Sequence, residues 1–246
     1  APGGGVNRMN DVSRASRASG GSPMGGRGPA DPIPLRDLYE LLKDEFGEVE
    51  MWSAESAMEY ACGAVLVQNT AWGNVQRTLE DLRRATSFDP ARLLALDEAE
   101  LIALIRPCGF MTSKARALRA YASWALDPAG AAAPGLDDAA LREALLELPG
   151  FGPETADVVA LMAYGRPRFI FDAYGRRLLR QAGYEVGRRY EDARRAHEAA
   201  AQAGGFDAAE LKDFHGLIIL AGQRARAAGG WEVYGPTVGI AVAKTA

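Results

Sequence analysis

The chain has 246 residues, 48% of them hydrophobic and 24% charged, with a net charge of −4, two cysteines and two histidines. That supplies a core for one large domain or two small ones, and it excludes a disordered chain, a collagen-like chain and a disulfide-stapled miniprotein. Cys62 and Cys108 are too few for a four-thiolate cluster and fit a reducing compartment, while His197 and His215 make a histidine-built metal site a poor expectation.

Residues 1–33 hold Gly, Ser, Arg and Pro with almost nothing to bury, which predicts a disordered tail, either a vestigial leader or an auxiliary DNA-binding arm. From Pro34 the pattern turns helical, with Leu35, Leu38, Leu41 and Leu42 at three- and four-residue spacing up to Gly47. Further helices are predicted over Ala54 to Val67, Trp72 to Ala85, Pro90 to Ala95, Glu98 to Arg106, Ser113 to Trp124 and Asp137 to Leu146. Others follow over Pro153 to Ala163, Asp172 to Ala182, Tyr190 to Gln202 and Phe206 to Arg226, separated by glycine and proline breaks such as Pro128 to Gly135. Arg168-Phe169-Ile170-Phe171 is strand-like but too short and isolated to build a sheet. The chain therefore reads as all-α, with no apolar run of the roughly 18 residues a membrane span needs, and as soluble and cytoplasmic. Charge is uneven along it. Residues 34–100 carry 6 basic and 14 acidic groups, whereas residues 101–190 carry 12 and 9 and are the ordered section where a polyanion would dock.

One segment carries most of the chemistry. In Leu141 to Ala163 an amphipathic helix ends at Leu148, Pro149-Gly150-Phe151-Gly152 makes a hairpin, and Pro153 and Glu154 start a second helix. Gly150 and Gly152 are both expected to take positive φ and to leave their N–H groups uncovered. Pro153 suits the first helical position, and the Glu154 carboxylate suits the positive end of the helix. Leu148 and Phe151 would lock the two helices together. Free amides beside a helix N-terminus can receive a phosphate, although an ordinary helical hairpin is the plainer reading of a bare Pro-Gly-x-Gly. Some twenty residues on, Asp172 stands where an apolar stretch becomes a helix, and taken alone it is an N-cap.

Taken together, LPGFGPETAD followed by Asp172 after Phe169-Ile170-Phe171 resembles the helix-hairpin-helix DNA glycosylases of the endonuclease III superfamily. Two upstream stretches are similar to the same family: Cys62 to Val75 (CGAVLVQNTAWGNV) and Leu104 to Ala115 (LIRPCGFMTSKA). The resemblance spans about residues 50 to 223. It implies a two-lobed all-α fold: a central helical bundle over residues 54–165 containing the hairpin, and a second lobe from residues 34–53 and 166–246. DNA with a damaged base would lie between the lobes of a monomer, with the bacterial nucleoid as the place of work. Asp172 would be the catalytic carboxylate. Gly150, Phe151 and Gly152 of the hairpin would bind DNA, Gln68 would fill the gap left by an everted nucleotide, and Arg176 and Arg177 would clamp phosphate or be solvated surface. Lys114 and Arg116 have that same double reading. Trp52 and Trp72 resemble pocket aromatics but read equally as core, and His215 reads as a hydrogen-bonded core histidine.

The departures matter as much. Relatives that also cut the backbone carry a hairpin lysine that forms a Schiff base, and the matching residue here is Glu154, which cannot form an imine. Many relatives hold an iron–sulfur cluster on four C-terminal cysteines, and Arg224 to Trp231 has none, so Trp231 and Tyr234 are expected to pack in its place. No cofactor is implied beyond a monovalent cation at the hairpin. The resemblance is strongest to the endonuclease III-like 3-methyladenine DNA glycosylases, which implies a monofunctional enzyme for alkylated bases. A glycosylase for oxidised or mismatched bases and a non-catalytic damage-binding protein are the alternatives.

Overall fold

A computed structural model describes residues 31–49 and 52–241, so most of the expected tail over residues 1–33 lies outside the described residues. Its last residue, Ile33, is not tail: it is buried in a core and its N–H donates to the Ala182 carbonyl at 2.9 Å. The helices are α1 (Leu35–Phe46), α2 (Ala57–Leu66), α3 (Trp72–Thr86), α4 (Pro90–Ala95), α5 (Glu98–Ile105), α6 (Met111–Leu126) and α7 (Pro128–Ala131). They continue with α8 (Asp138–Leu146), α9 (Pro153–Tyr164), α10 (Ala173–Gln181), α11 (Tyr190–Ala203), α12 (Ala208–Ala227) and α13 (Trp231–Tyr234). No strand occurs among the described residues, and the protein is all-helical. The expected start of α2 at Ala54 moves to Ala57, because the Ser56 hydroxyl accepts the Glu59 N–H at 3.1 Å and caps the helix there. Two short helices were not expected. Pro128 sits in the first turn of α7 inside a run that reads as a breaker, and α13 follows two positive-φ glycines, Gly229 and Gly230.

Two apolar cores organise the fold. The first gathers α2 to α9 around fully buried Leu66, Leu82, Leu93, Leu101, Ile105 and Leu118. The second joins α1 to α10, α11 and α12 through Leu38, Leu42, Phe171, Leu178 and Phe214, with Ile240 returning to close it. Helix α9 belongs to both, since Ala160 is buried in the first core and Leu161 in the second. Trp231 and Tyr234 pack against the second core, their rings 5.8 Å apart.

A buried carboxylate fastens the shared helix. Asp157 of α9 accepts Arg142 Nε at 2.8 Å and the Tyr190 hydroxyl at 2.9 Å, with Arg168 Nη1 at 3.7 Å. Those partners lie on α8, on α11 and in the extended run that leads to Asp172. A desolvated carboxylate needs such pairing, and losing one side of it costs several kcal/mol (about 3–5). The polar cluster thus fixes the run ending at Asp172 against the hairpin helix.

Candidate active site

The hairpin between α8 and α9 is anchored from beneath. Phe151 is 6% exposed and stacks on Tyr121 at 5.7 Å with the rings 6° from parallel. Its N–H donates to the Leu148 carbonyl at 3.0 Å. Gly150 adopts φ +86°, and a Cβ there would lie 2.7 Å from Ala117 Cβ on α6, so only glycine allows both the turn and the approach. Gly150 and Gly152 are exposed, and neither N–H has a partner among the described residues. The turn therefore offers free amides at the N-terminus of α9, suited to an anion.

Asp172 caps α10. Its Oδ1 accepts the Gly175 N–H at 2.7 Å, and the residue is half-buried. A side chain at position 175 would collide with the Ile170 carbonyl at 2.7 Å, so glycine lets the helix start tight against the chain before it. The neighbours of Asp172 are felt electrostatically. Glu154 stands open to solvent on one side and crowded by protein on the others. Desolvation first, and the negative charge of Asp172 second, hold its carboxyl above the ordinary range, with Arg176 pulling the other way. Burial holds His215 of α12 below its usual value, against an opposing pull from Asp172. Asp172, the Glu154 carboxyl whose charging burial disfavours, and the His215 imidazole whose charging burial also disfavours therefore share one locale.

An aromatic group lies around α2, formed by Trp52 before it, Tyr60 on it and Trp72 at the start of α3. Trp52 meets Tyr60 edge-on at 5.4 Å and Trp72 at 5.6 Å. Both tryptophans are half-buried. Trp52 packs so close to α2 that a Cβ on Gly63 would come within 2.6 Å of its ring. Lys212 of α12 donates to the Met162 carbonyl at 3.1 Å and stands 5.9 Å from the Tyr60 ring centre. Aromatic faces attract cations, whereas the Lys212 ammonium near the Tyr60 ring adds a like charge that a cationic guest would have to displace.

Comparison with known proteins identifies the family. Residues 62–202, which include the hairpin and Asp172, match the family described as HhH-GPD superfamily base excision DNA repair protein. A Methanocaldococcus jannaschii protein named as a DNA repair glycosylase is 33% identical over 187 residues, covering 74% of this chain and 84% of that protein. The chain belongs to the HhH-GPD superfamily of base excision DNA repair proteins. Among solved folds, Helicobacter pylori 3-methyladenine DNA glycosylase bound to 1,N6-ethenoadenine aligns with TM-score 0.66 and 23% identity, over 78% of this chain and 98% of that one. A trapped endonuclease III–DNA covalent intermediate aligns with TM-score 0.64 and 20% identity, over 78% and 86%. Membership makes the protein a DNA glycosylase of base excision repair, a hydrolase of N-glycosyl bonds.

Within this HhH-GPD fold several sequence expectations need correction. Phe151 was counted with the DNA-binding residues, yet its side chain is core and its N–H is committed, so it acts by holding the hairpin's shape. Gly152 does not need positive φ: it sits at −91° as the N-cap of α9, and a Cβ there would meet open space. Arg176 is half-buried with Nη1 donating to the Phe171 carbonyl at 2.6 Å, which leaves only part of its fork for a phosphate. Arg177 is exposed beside Tyr174 and remains fully available. Gln68 is folded inward, its amide donating to the Thr155 hydroxyl at 2.5 Å across to α9. His215 is half-buried, and its Nδ1 is buried with no hydrogen-bond partner among the described residues, unlike a satisfied core histidine. Lys114 is 4% exposed and cannot clamp a phosphate.

Other residues were missed. Phe110 is 66% exposed in the left-handed conformation (φ 49°) beside Gln68 and Gly150, forming the rim of a shared cavity. An aromatic side chain directly after a glycine, before a helix, was the available signal. Tyr60 follows Trp52 by eight residues, and Lys212 is one of only four lysines in the chain, yet neither carries a motif that sequence reading could have caught. Among the described residues no group of three or more His, Cys, Asp or Glu is placed to hold a metal ion.

Proposed function

We propose that the protein is a monofunctional glycosylase for alkylated purines, with 3-methyladenine as its first substrate. The observation that carries this reading is the pairing of Asp172 with a glutamate, rather than a lysine, at position 154, and the chain also gathers Trp52, Tyr60 and Trp72 into one aromatic group. Similarity of fold to the H. pylori 3-methyladenine enzyme supports the same direction.

The reaction follows from charge. A ring-alkylated purine is cationic while attached to the sugar, so it leaves with the glycosidic electron pair as a neutral base and needs no strong general acid. Charge moves to the sugar as an oxocarbenium-like ion, which the Asp172 carboxylate stabilises. Oδ1 is held by the Gly175 N–H, which orients the carboxylate and leaves Oδ2 to take the proton of the attacking water. Water supplies the hydroxyl that ends on the anomeric carbon. Glu154 contributes no amine, so no imine forms and the backbone stays intact.

Reaching that carbon requires eversion of the nucleotide, at a cost of a few kcal/mol. The hairpin amides of Gly150 and Gly152 hold a phosphate, Gln68 swings out from Thr155 to fill the gap, and Phe110 wedges beside it. Apolar wedges of this kind unstack a base step and hold the duplex bent. A monovalent cation held by hairpin carbonyls would add positive charge beside that phosphate. The partner is double-stranded DNA with a damaged base, and the protein acts as a monomer. The test is base release, followed by mass spectrometry, from duplexes carrying alkylated, oxidised or mismatched bases, together with borohydride trapping. Release of 3-methyladenine without a trapped adduct is expected. Release of thymine glycol alone, or a covalent adduct, would contradict the reading.

A further inference from the structure

The ammonium of Lys114 lies inside a cradle of oxygens. Its Nζ donates to the carbonyls of Leu66 at 2.9 Å, Gln68 at 2.8 Å and Cys108 at 2.8 Å, and lies 2.8 Å from the Thr70 hydroxyl. An ammonium has three protons, so the four oxygens share them, and the site behaves as an internal cation site rather than a set of separate bonds. The Thr70 hydroxyl completes the bridge by donating to the Cys108 carbonyl at 2.7 Å. Through its own backbone Lys114 also binds the turn before α6: its N–H donates to the Phe110 carbonyl at 3.0 Å, where the Ser113 hydroxyl also donates at 2.9 Å.

Two loops distant in sequence meet on this one charge. One is Gln68-Asn69-Thr70 after α2, with Asn69 at φ 53°. The other is Cys108-Gly109-Phe110 before α6, with Phe110 at φ 49°. Non-glycine residues in the left-handed region persist only where their surroundings hold them. Between the two loops and Gly150 lies a cavity of about 180 Å3 that opens to solvent and is lined by Gln68, Asn69, Phe110 and Ser113. The loops thus face each other across this cavity and meet at the Lys114 ammonium and the Thr70 hydroxyl.

We propose that Lys114 is a positioning residue for nucleotide eversion: its buried ammonium makes the Gln68 loop and the Phe110 turn one rigid fork, so that both side chains enter the duplex at a set separation. The inference rests on the glycosylase reading of Gln68 as the residue that fills the gap. Lysine suits the task because a compact rotatable charge satisfies oxygens from several directions, which a planar guanidinium does not.

The test measures affinity for a duplex with a central tetrahydrofuran abasic-site analogue and for the same duplex undamaged. In Lys114→Met the preference for the analogue should fall about tenfold or more, because the fork no longer fits the gap, while affinity for undamaged duplex stays within about twofold, since the hairpin amides still hold phosphate. Equal loss on both duplexes, or an unchanged preference, would overturn the proposal. If Lys114→Met does not fold, Thr70→Val removes one oxygen of the cradle and the bridge to Cys108, and the same selective loss is expected at smaller amplitude. Failure of wild-type protein to release 3-methyladenine would sink the substrate assignment while leaving this comparison readable.

Discussion

Replacing Gly150 by alanine separates two demands that the hairpin makes on one residue. The first is conformational: φ is +86°, and an L side chain in the left-handed region costs roughly 1–2 kcal/mol. The second is steric, because the new methyl would stand 2.7 Å from Ala117 Cβ, well inside ordinary contact, and overpacking of that kind costs about 1–3 kcal/mol. The sum, about 2–5 kcal/mol, should lower Tm by roughly 5–15 °C in a domain of this size. Relief of the clash with Ala117→Gly recovers only the steric part, since the φ penalty remains and α6 gains a helix glycine worth about 1 kcal/mol. A double-mutant cycle by urea unfolding should therefore give a favourable coupling of about 1–3 kcal/mol between positions 117 and 150. Duplex binding should fall about tenfold in Gly150→Ala as the free amides shift, and should recover partly in the double variant. Additive stabilities, with coupling below about 0.5 kcal/mol, would refute the account of why the hairpin sits where it does.

Three further outcomes follow from named contacts. Glu191 is held from the ordinary 4.5 down to about 2 by Arg194 first and by Arg142. Because the folded state binds its proton less readily, this stabilisation is complete above the unfolded value and fades as pH falls through the folded one. Glu191→Gln should thus cost about 1–2 kcal/mol at neutral pH in urea unfolding, with the gap to wild type closing between about pH 5 and about pH 2. A gap that persists in acid would deny the ion pairs their role. Phe110→Asn keeps a residue tolerant of the left-handed conformation, so stability should change by less than about 0.5 kcal/mol while affinity for damaged duplex drops about tenfold. Unchanged damaged-duplex affinity in a filter or fluorescence titration would remove Phe110 from the DNA face. Gly63→Ala puts a methyl 2.6 Å from the Trp52 ring, an overpacking cost of about 1–3 kcal/mol offset by the roughly 1 kcal/mol that alanine adds to a helix. Release of 3-methyladenine should therefore slow about tenfold or more while Tm falls by only a few degrees. A fall in Tm with normal release would mean that Trp52 is core.

The helices were readable because their determinants are local. Leu35, Leu38 and Leu42 mark the buried face of α1 within a dozen residues, and Pro153 announces the start of α9. Asp172 was legible for the same reason, as a cap at the junction of an apolar run and a helix. Lys114 was not. Its partners Leu66, Gln68 and Thr70 lie 44 to 48 residues away, and nothing in the surrounding sequence shows that three carbonyls will converge there. A lysine on a helix is ordinarily solvated, so the sequence argues for the surface. Phe151 carried two readings. The hairpin pattern gave it a part in locking the helices together, which its buried ring stacked on Tyr121 bears out, while the DNA contact implied by the resemblance is one that its buried side chain does not offer. The same limit applies to Gln68, whose present partner Thr155 lies across the fold.

The measurement that bears most directly on the mechanism is Asp172→Asn. Asparagine caps a helix as well as aspartate does, so the bond to the Gly175 N–H and the stability of α10 should survive. Single-turnover release of 3-methyladenine should fall by at least about 100-fold, with affinity for abasic-site duplex within about threefold of wild type. Retained release, or loss of release and binding together, would contradict a carboxylate acting at the anomeric carbon.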